Sequence, residues 1–466
     1  LQRSWKQKVT IGLKKNWVSK TRLLDNRRKA VAKMTTELEK QINPEIVTQL
    51  SQSQQEPEWM LQFRLQALES AKQLSLPRVE KTNINKWNFS QFSLKSEQEV
   101  ADTSALPQEV LSLMSDEENA SLVVQKNSSV IWKNASRALE EQGVIFTDLG
   151  TAVREHSELV KKYFGQAVAK DEHQLSAMHG ALWSGGLFLY VPKNVDVQQS
   201  LQAIFYNEGN GVGIMPHVLV VTEENSRVNL VCNYTGDSEA SAVVQNSVVE
   251  VFVGAGSHVS VATLHNLGED SVDVAYRRAM VGRDGYMEWI VGELNHGRTL
   301  SDNTTHLTEP GGHTDVRTIA VGSGSQRSNL TSAVYHVGTD TESDMNVRGV
   351  MKDKAQTIMN GITKIEKGAK RANGVQAEKV LMLDRGARGD ANPILLIDEN
   401  DVKAGHAASV GQIDPMQLFY LMSRGIPKRE AEKLVIYGFL GPVLDAIPFE
   451  AIRKQMVSVI ERKLSQ

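Results

Sequence analysis

The chain has 466 residues, 41% hydrophobic and 23% charged, which is ordinary for a folded protein of two or three domains. Its net charge of −3 is uneven: residues 1–33 hold eleven Lys/Arg against Asp25 alone, +10, so the remainder sits at −13 and suits nucleic acid poorly. The single cysteine, Cys232, excludes an intrachain disulfide or a four-thiolate metal site, and no apolar run approaches the ~18 residues of a membrane span.

The basic leader, residues 1–33, is expected to be a disordered extension without function. It has two serines, Ser4 and Ser19, too few for a typical transit peptide, and no apolar core of a secretory signal. Residues 34–182 read as a helical and mixed region. Pro57 can take the first turn of a helix through EWMLQFRLQALESAKQL. There Trp59, Met60, Phe63, Leu65, Ala67, Leu68 and Ala71 make a 3.6-residue stripe, ended by Leu76 and Pro77. Trp87, Phe89 and Phe92 anchor the loop that follows. LVVQKNSSVIWKN alternates like a strand pair, RALEEQGVIFTDL is a short helix, a stop at Gly143 and a strand, and 151–181 is helical.

The pattern changes over 183–413. Short segments rich in Val, Ile, Leu and Thr recur, with turns starting near Glu223, Gly254, Gly282, Gly322, Lys352 and Asp398, at gaps of 31, 28, 40, 30 and 46 residues. Units this small cannot bury their own apolar face and must stack. The fold expected is mainly β with helical ends: a right-handed parallel β-helix core between an N-terminal helical or mixed region and a C-terminal helical domain. A β-sandwich is the competing arrangement. In the tail, 414–466, Asp414 caps and Pro415 opens a first helix that Gly425 stops; Pro427 and Pro448 open two more. Leu418, Leu421 and Met422, then Ala431, Leu434 and Val435, then Ile452, Met456, Val459 and Ile460 form their apolar stripes.

Candidate chemistry is sparse. Gly209-Asn-Gly211-Val-Gly213 and Gly322-Ser-Gly324 lack the spacing of a phosphate loop. His296, His306 and His313, with Asp302, Glu309 and Asp315 nearby, have metal-ligand chemistry but spacings that match no rigid pair, so solvated loop positions are expected. His258, His265, His336 and Cys232 fall in strand patterns and are expected in core or edge positions. Nothing marks a nucleophile elbow, and Arg388-Gly389-Asp390 and Asn329-Leu-Thr331 match motifs by spelling alone. His406 stands out: Gly405 and Ala407 leave its imidazole uncovered, and it sits where strands give way to helices. A neutral imidazole there can ligate iron or shuttle a proton.

The block ARGDANPILLIDENDVKAGHAASVGQIDPMQLFYLMSRGIPKREAEKLVIYGF resembles the SufB/SufD family of iron–sulfur cluster assembly proteins. So do EPEWMLQFRLQALE, KWNFSQF, GVIFTDL, ALWSGGLFLYVPKNV and GVMKDKAQTIMNGITKIEKGAKRANG. The likeness runs from about Met34 to the end. It is closer to the SufD branch, of Bacillota type, than to the SufB branch: Cys232 lies far from the SufB cluster-building cysteine, and Ala407 stands where SufB tends to carry glutamate. Ala404 stands where some SufD proteins have a cysteine.

The resemblance implies a non-catalytic, cytoplasmic scaffold subunit that pairs with a SufB-like paralogue. An ABC-type ATPase, SufC, would dock on the helical tail, and a cysteine desulfurase system would supply sulfur indirectly. By resemblance His406 is the cluster-assembly interface residue and a metal ligand of a shared nascent site. Leu418, Tyr420, Met422, Arg424 and Tyr437 are the expected ATPase contacts. The chain alone is expected to bind no cofactor, with a transient iron–sulfur cluster at the SufB interface and room for a reduced flavin in the complex. Neither nucleic acid nor membrane is an expected partner, and a homodimer in isolation is the other assembly considered. The alternative from a different class is a β-helix carbohydrate-active enzyme, polysaccharide lyase-like.

Overall fold

The computed structural model describes residues 42–115, 120–237, 239–447 and 450–465. The basic leader and the expected helix start at Pro448 lie outside the described residues. From Gly186 to Gln412 the chain winds as a β-solenoid of about eight turns, each giving one strand to each of two sheets. The first sheet stacks Leu201–Asn207, Arg227–Gly236, His258–Asn266, Tyr286–Glu293, His313–Gly322, Glu342–Met351, Asn373–Met382 and Lys403–Gln412. The second stacks Gly186–Val191, His217–Thr222, Val243–Val253, Ser271–Val281, Arg298–Leu307, Arg327–His336, Gln356–Ile365 and Arg388–Ile397. Pairing along both stacks is parallel, which displaces the sandwich alternative.

The repeat is tighter than the sequence suggests. His258 lies opposite Tyr286, Tyr286 opposite His313, His313 opposite Glu342, Glu342 opposite Asn373, and Asn373 opposite Lys403. These steps run from 27 to 31 residues. The gaps of 40 and 46 residues arise because the corners at 308–312, 366–372 and 383–387 also separate strands. Those corners combine charged residues with small ones, and the turn spelling alone did not mark them.

Alternation decides what fills the lumen. Val228, Val259, Val261, Met287, Trp289, Val316, Val334 and Met345 pack there in one continuous cluster. The two outer faces are covered by different helices. Ala67, Leu68, Leu175 and Met178 lie against Val244, Val248, Val272 and Val274 of the second sheet. Ile436, Leu440, Val443, Ile452, Met456 and Ile460 lie against Ala262, Leu264, Ile290, Ile319 and Val350 of the first.

The N-terminal elements follow the expected order. Helices cover Pro44–Ser53 and Glu58–Gln73, with Pro57 as the residue just before the second rather than inside its first turn. Ser121–Lys126 and Ser129–Asn134 form an antiparallel pair that extends the first sheet, and Ile145–Asp148 pairs with Gly186–Val191 of the second. Strands before 183 therefore already belong to the scaffold's sheets. Trp87 and Phe89 are buried packing residues, as expected. Gly209 and Gly211 lie in a loop between strands with φ of +98° and +65°, and a methyl at Gly213 would meet the Phe92 ring at 2.2 Å, so the run serves turn geometry at the first two and close packing at the third.

In the tail, Asp414 accepts from the Met416 amide, Pro415 opens the helix Pro415–Ser423, and Gly425 ends it with φ +85°. The helix Lys428–Leu444 buries Ala431, Ile436, Leu440, Val443 and Leu444, while Leu434 of the expected stripe is exposed. The expected stripe of the last helix, Glu450–Ser465, is buried at Ile452, Met456, Val459 and Ile460.

Candidate functional site at the open end of the solenoid

The finishing strands, Arg388–Ile397 and Lys403–Gln412, each have a sheet neighbour on one side only. Their outer edges carry unpaired backbone groups, a template for another strand. Folded proteins usually blunt such edges with charge. Here 391–397 and 404–412 contain no Asp, Glu, Lys or Arg. Ile394, Leu396, Ile397 and Val410 are exposed beside them, Leu396 at 47%.

His406 sits in the middle of the last strand, exposed, opposite Gln376 of the preceding turn. Residues opposite one another in a parallel pair point to the same face. Gln376 is fully buried, accepting from Thr363 Oγ1 at 3.1 Å and donating to the Ile394 carbonyl at 3.3 Å. His406 therefore lies on the lumen side, and it is open because no further turn covers it. A methyl added at Gly405 would meet nothing within 4 Å, so the opposite face of the strand is open there as well.

The expected ATPase contacts divide. Tyr420, Met422 and Arg424 are exposed at the end of the helix Pro415–Ser423; the Arg424 guanidinium lies 5.4 Å from the Tyr420 ring centroid. Leu418 is half-buried in a cavity of about 240 Å³ with Lys352, Ile413, Arg429 and Ile436. Tyr437 stands apart, half-buried in the groove facing Arg453, Lys454 and Glu461 of the last helix. Met416 (69% exposed) and Phe419 (66%), which the sequence reading did not single out, and Leu434 (52%), expected in an apolar stripe, are exposed as well. This first tail helix has no buried residue, so its apolar side chains surround it instead of forming one stripe. Phe419 beside Tyr420, outside the Leu418–Leu421–Met422 stripe, was the available signal.

The other histidines serve the scaffold. His306 stacks on Tyr335 at 4.8 Å between centroids, His313 lies 3.1 Å from Asp315, and His296 lines a cavity near Lys463 and Arg462. They are on separate elements, so the three-histidine metal reading has no shared site. His258 is half-buried, its ring 4.3 Å from that of Tyr286 and tilted by 41°. His336 is buried between Thr341 Oγ1 and Ser343 Oγ, and burial pushes it down to about 4. Cys232 is fully buried, which pushes its thiol up to about 12; it is a small core residue.

Among the described residues, one group brings three potential ligand atoms within 4.8 Å: His265, Asp273 and Glu293. Its cation position is already taken by Arg277, whose Nη2 lies 2.7 Å from His265 Nε2 and 3.2 Å from Glu293 Oε1. With Asn295 and Gln245 also on Asp273, this is a lumenal ion-pair network. A second buried carboxylate, Glu250, accepts from the amides of Gly165, Ala167 and Val168 and lies 3.0 Å from His217 Nε2. It ties the helical N-terminal region to the second sheet. The Lys463 ammonium is buried, donates to the carbonyls of Leu294 and Asn295, and pins the last helix to the first sheet; burial pushes it down to about 7.

Comparison with known proteins agrees with this architecture. Residues 205–439 match the family described as "SUF system FeS cluster assembly, SufBD core domain", and 45–203 match the SufBD protein N-terminal region. The chain is 47% identical over 436 residues to the iron–sulfur cluster assembly protein SufD of Bacillus subtilis, covering 92% of this chain and 100% of that one. It is 30% identical over 422 residues to an iron–sulfur cluster assembly SufBD family protein of Staphylococcus haemolyticus, covering 88% and 91%. A relative in Staphylococcus epidermidis is 29% identical over the same shares.

The chain thus belongs to the SufBD family of the SUF system for iron–sulfur cluster assembly. Within it, the match along the whole length of a SufD protein places the chain on the SufD branch. Membership sets aside the polysaccharide lyase-like alternative that the solenoid shape allows. Among the described residues, no helix is long and apolar enough to cross a membrane.

Proposed function

We propose that this chain is a non-catalytic, cytoplasmic scaffold subunit of an iron–sulfur cluster assembly complex, and that the open end of its solenoid pairs with a SufB-like paralogue. One observation carries the reading: the solenoid finishes in two edge strands that are free of charge over 391–397 and 404–412, with exposed Ile394, Leu396, Ile397 and Val410, and His406 projects between them and whatever docks there. Two solenoids meeting end to end would cover these edges and enclose His406 in the seam. The imidazole then supplies one half of a site for a transient cluster, the cargo, and the paralogue supplies the rest. An exposed neutral imidazole is suited to that, since iron accepts it as a ligand.

The helix Pro415–Ser423 follows directly after the His406 strand. Its Met416, Phe419, Tyr420 and Met422 offer the apolar contacts for a SufC-type ATPase, with Arg424 at the rim. A partner on this helix is therefore connected through Asp414 to the cluster-building strand. A reduced flavin would belong to the complex and a cysteine desulfurase would deliver sulfur to it; the chain itself supplies neither chemistry. Co-purification tests the assembly: the tagged chain should bring down a SufB-like protein and an ATPase in fixed ratio. Recovery of the chain as a stable homodimer that excludes the paralogue would overturn the reading, because a second copy would then own the open end.

A further inference from the structure

Glu378 has an unusual setting. It lies on Asn373–Met382, in the last turn of the first sheet that has neighbours on both sides. It is 0% exposed, and neither carboxylate oxygen has a hydrogen-bond partner on another described residue. Other buried carboxylates of the scaffold have partners: Asp273 has His265, Gln245 and Asn295, Glu293 has Arg277 at Oε1, and Glu250, on the outer face of the second sheet, has three amides. A buried carboxyl without donors is costly, and packing gives no reason to keep one.

Its position supplies the reason. Glu378 stands opposite Ala408, and Gln376, two residues back, stands opposite His406. The side chains of 376, 378, 406 and 408 therefore share the lumen face, with Glu378 diagonal to His406. Strands lie about 4.8 Å apart and alternate residues about 6.6 Å along, so the two backbones are about 8 Å apart, a diagonal within reach of long side chains. Across the lumen the carboxyl rests on Gly361, where a methyl would sit 1.8 Å from Oε1; only glycine leaves this space. Above it, the sole side chain stacked in register is the methyl of Ala408, itself exposed.

We infer that Glu378 is a second protein ligand at this end of the solenoid, its carboxylate binding a ferrous ion, or a divalent cation of like chemistry, together with the His406 imidazole. The inference rests on the reading of His406 given above. On binding, the carboxylic acid releases its proton to water and the cation takes its place; no electron moves. Imidazole with carboxylate is a donor set suited to ferrous iron. Burial holds the carboxyl up to about 7, so the proton is ready to leave near neutral pH.

Cobalt(II), a spectroscopic stand-in, tests this on the full chain at pH 8 by visible absorption and calorimetry. The native chain should bind it stoichiometrically; Glu378→Gln and His406→Ala should each weaken binding by about tenfold or more. Glu378→Gln should keep the native melting temperature or exceed it, which separates lost ligation from lost folding. Ala408→Leu, which leaves both ligands in place but thickens the cover, should slow uptake. Native-like binding by Glu378→Gln, or no binding by the native chain, overturns the inference and leaves the assembly reading untouched. Loss in Glu378→Gln with none in His406→Ala keeps Glu378 as a ligand and sinks the role of His406.

Discussion

An imidazole on the last strand of a solenoid has packing on one side and solvent on the other. That asymmetry separates His406 from His336, which also faces the lumen but is sealed between turns and hydrogen-bonded to Thr341 and Ser343. Losing the His336 ring leaves a cavity; losing the His406 ring leaves exposed backbone. The substitution His406→Ala is therefore expected to change the melting temperature by less than about 2 °C, within the range of surface substitutions. In the assembled complex the same change should strongly reduce cluster formation, read by the visible absorption of reconstituted clusters. Full cluster yield would count against the assigned role. His406 was legible in the sequence because small flanking residues and the strand-to-helix border are local. Glu378 was not: a glutamate in an alternating strand looks solvent-facing until register puts it inside.

At the scale of elements, the helix Pro415–Ser423 is the one with the least reason to be ordered alone. It has nine residues, none buried, and isolated helices of that length are marginal in water. Its exposed Met416 and Phe419 extend the surface of Tyr420 and Met422. Phe419→Asp should leave the fold and the melting temperature of the free chain nearly unchanged and lower ATPase affinity by about 2 kcal/mol or more, the size of an interface hot spot. Surface plasmon resonance with the purified ATPase measures this, and unaltered affinity would move the docking site elsewhere. Periodicity located the helix correctly, including Asp414, Pro415 and Gly425, because capping depends on neighbours in the chain. It misjudged the exposed sides: Leu434 was expected inside and Phe419 was passed over. Which side of a tail helix faces the sheet depends on where the sheet is.

Over the whole molecule, stability is tied to histidines held neutral. Burial keeps His173, His296 and His336 each down at about 4, and His179 well below its ordinary value. A folded-state pKa below the unfolded one means that the unfolded chain binds more protons between the two values. The histidine contribution to stability is then complete above about pH 6.5 and falls as the pH drops toward 4. For His336, the most enclosed of the first three, the loss by pH 5 is roughly 2 kcal/mol. Urea midpoints should fall markedly between pH 7.5 and pH 5, and His336→Gln should flatten that slope; an unchanged slope would mean that His336 is hydrated in the native state.

The sequence by itself determined the architecture: strands too short to stand alone, turn spellings between them, and a helical tail, all set by period and by residues close in the chain. It also marked His406 and, through the family likeness, the assembly system. Only the tertiary structure decided which residues share a face across turns. The coil period of 26 to 32 residues, the pairing of Gln376 with His406, the unmatched Glu378 beneath Ala408 and the exposed tail helix are long-range facts. A register shift of one residue would turn each of these side chains to the opposite face, and no local signal in the chain records that choice.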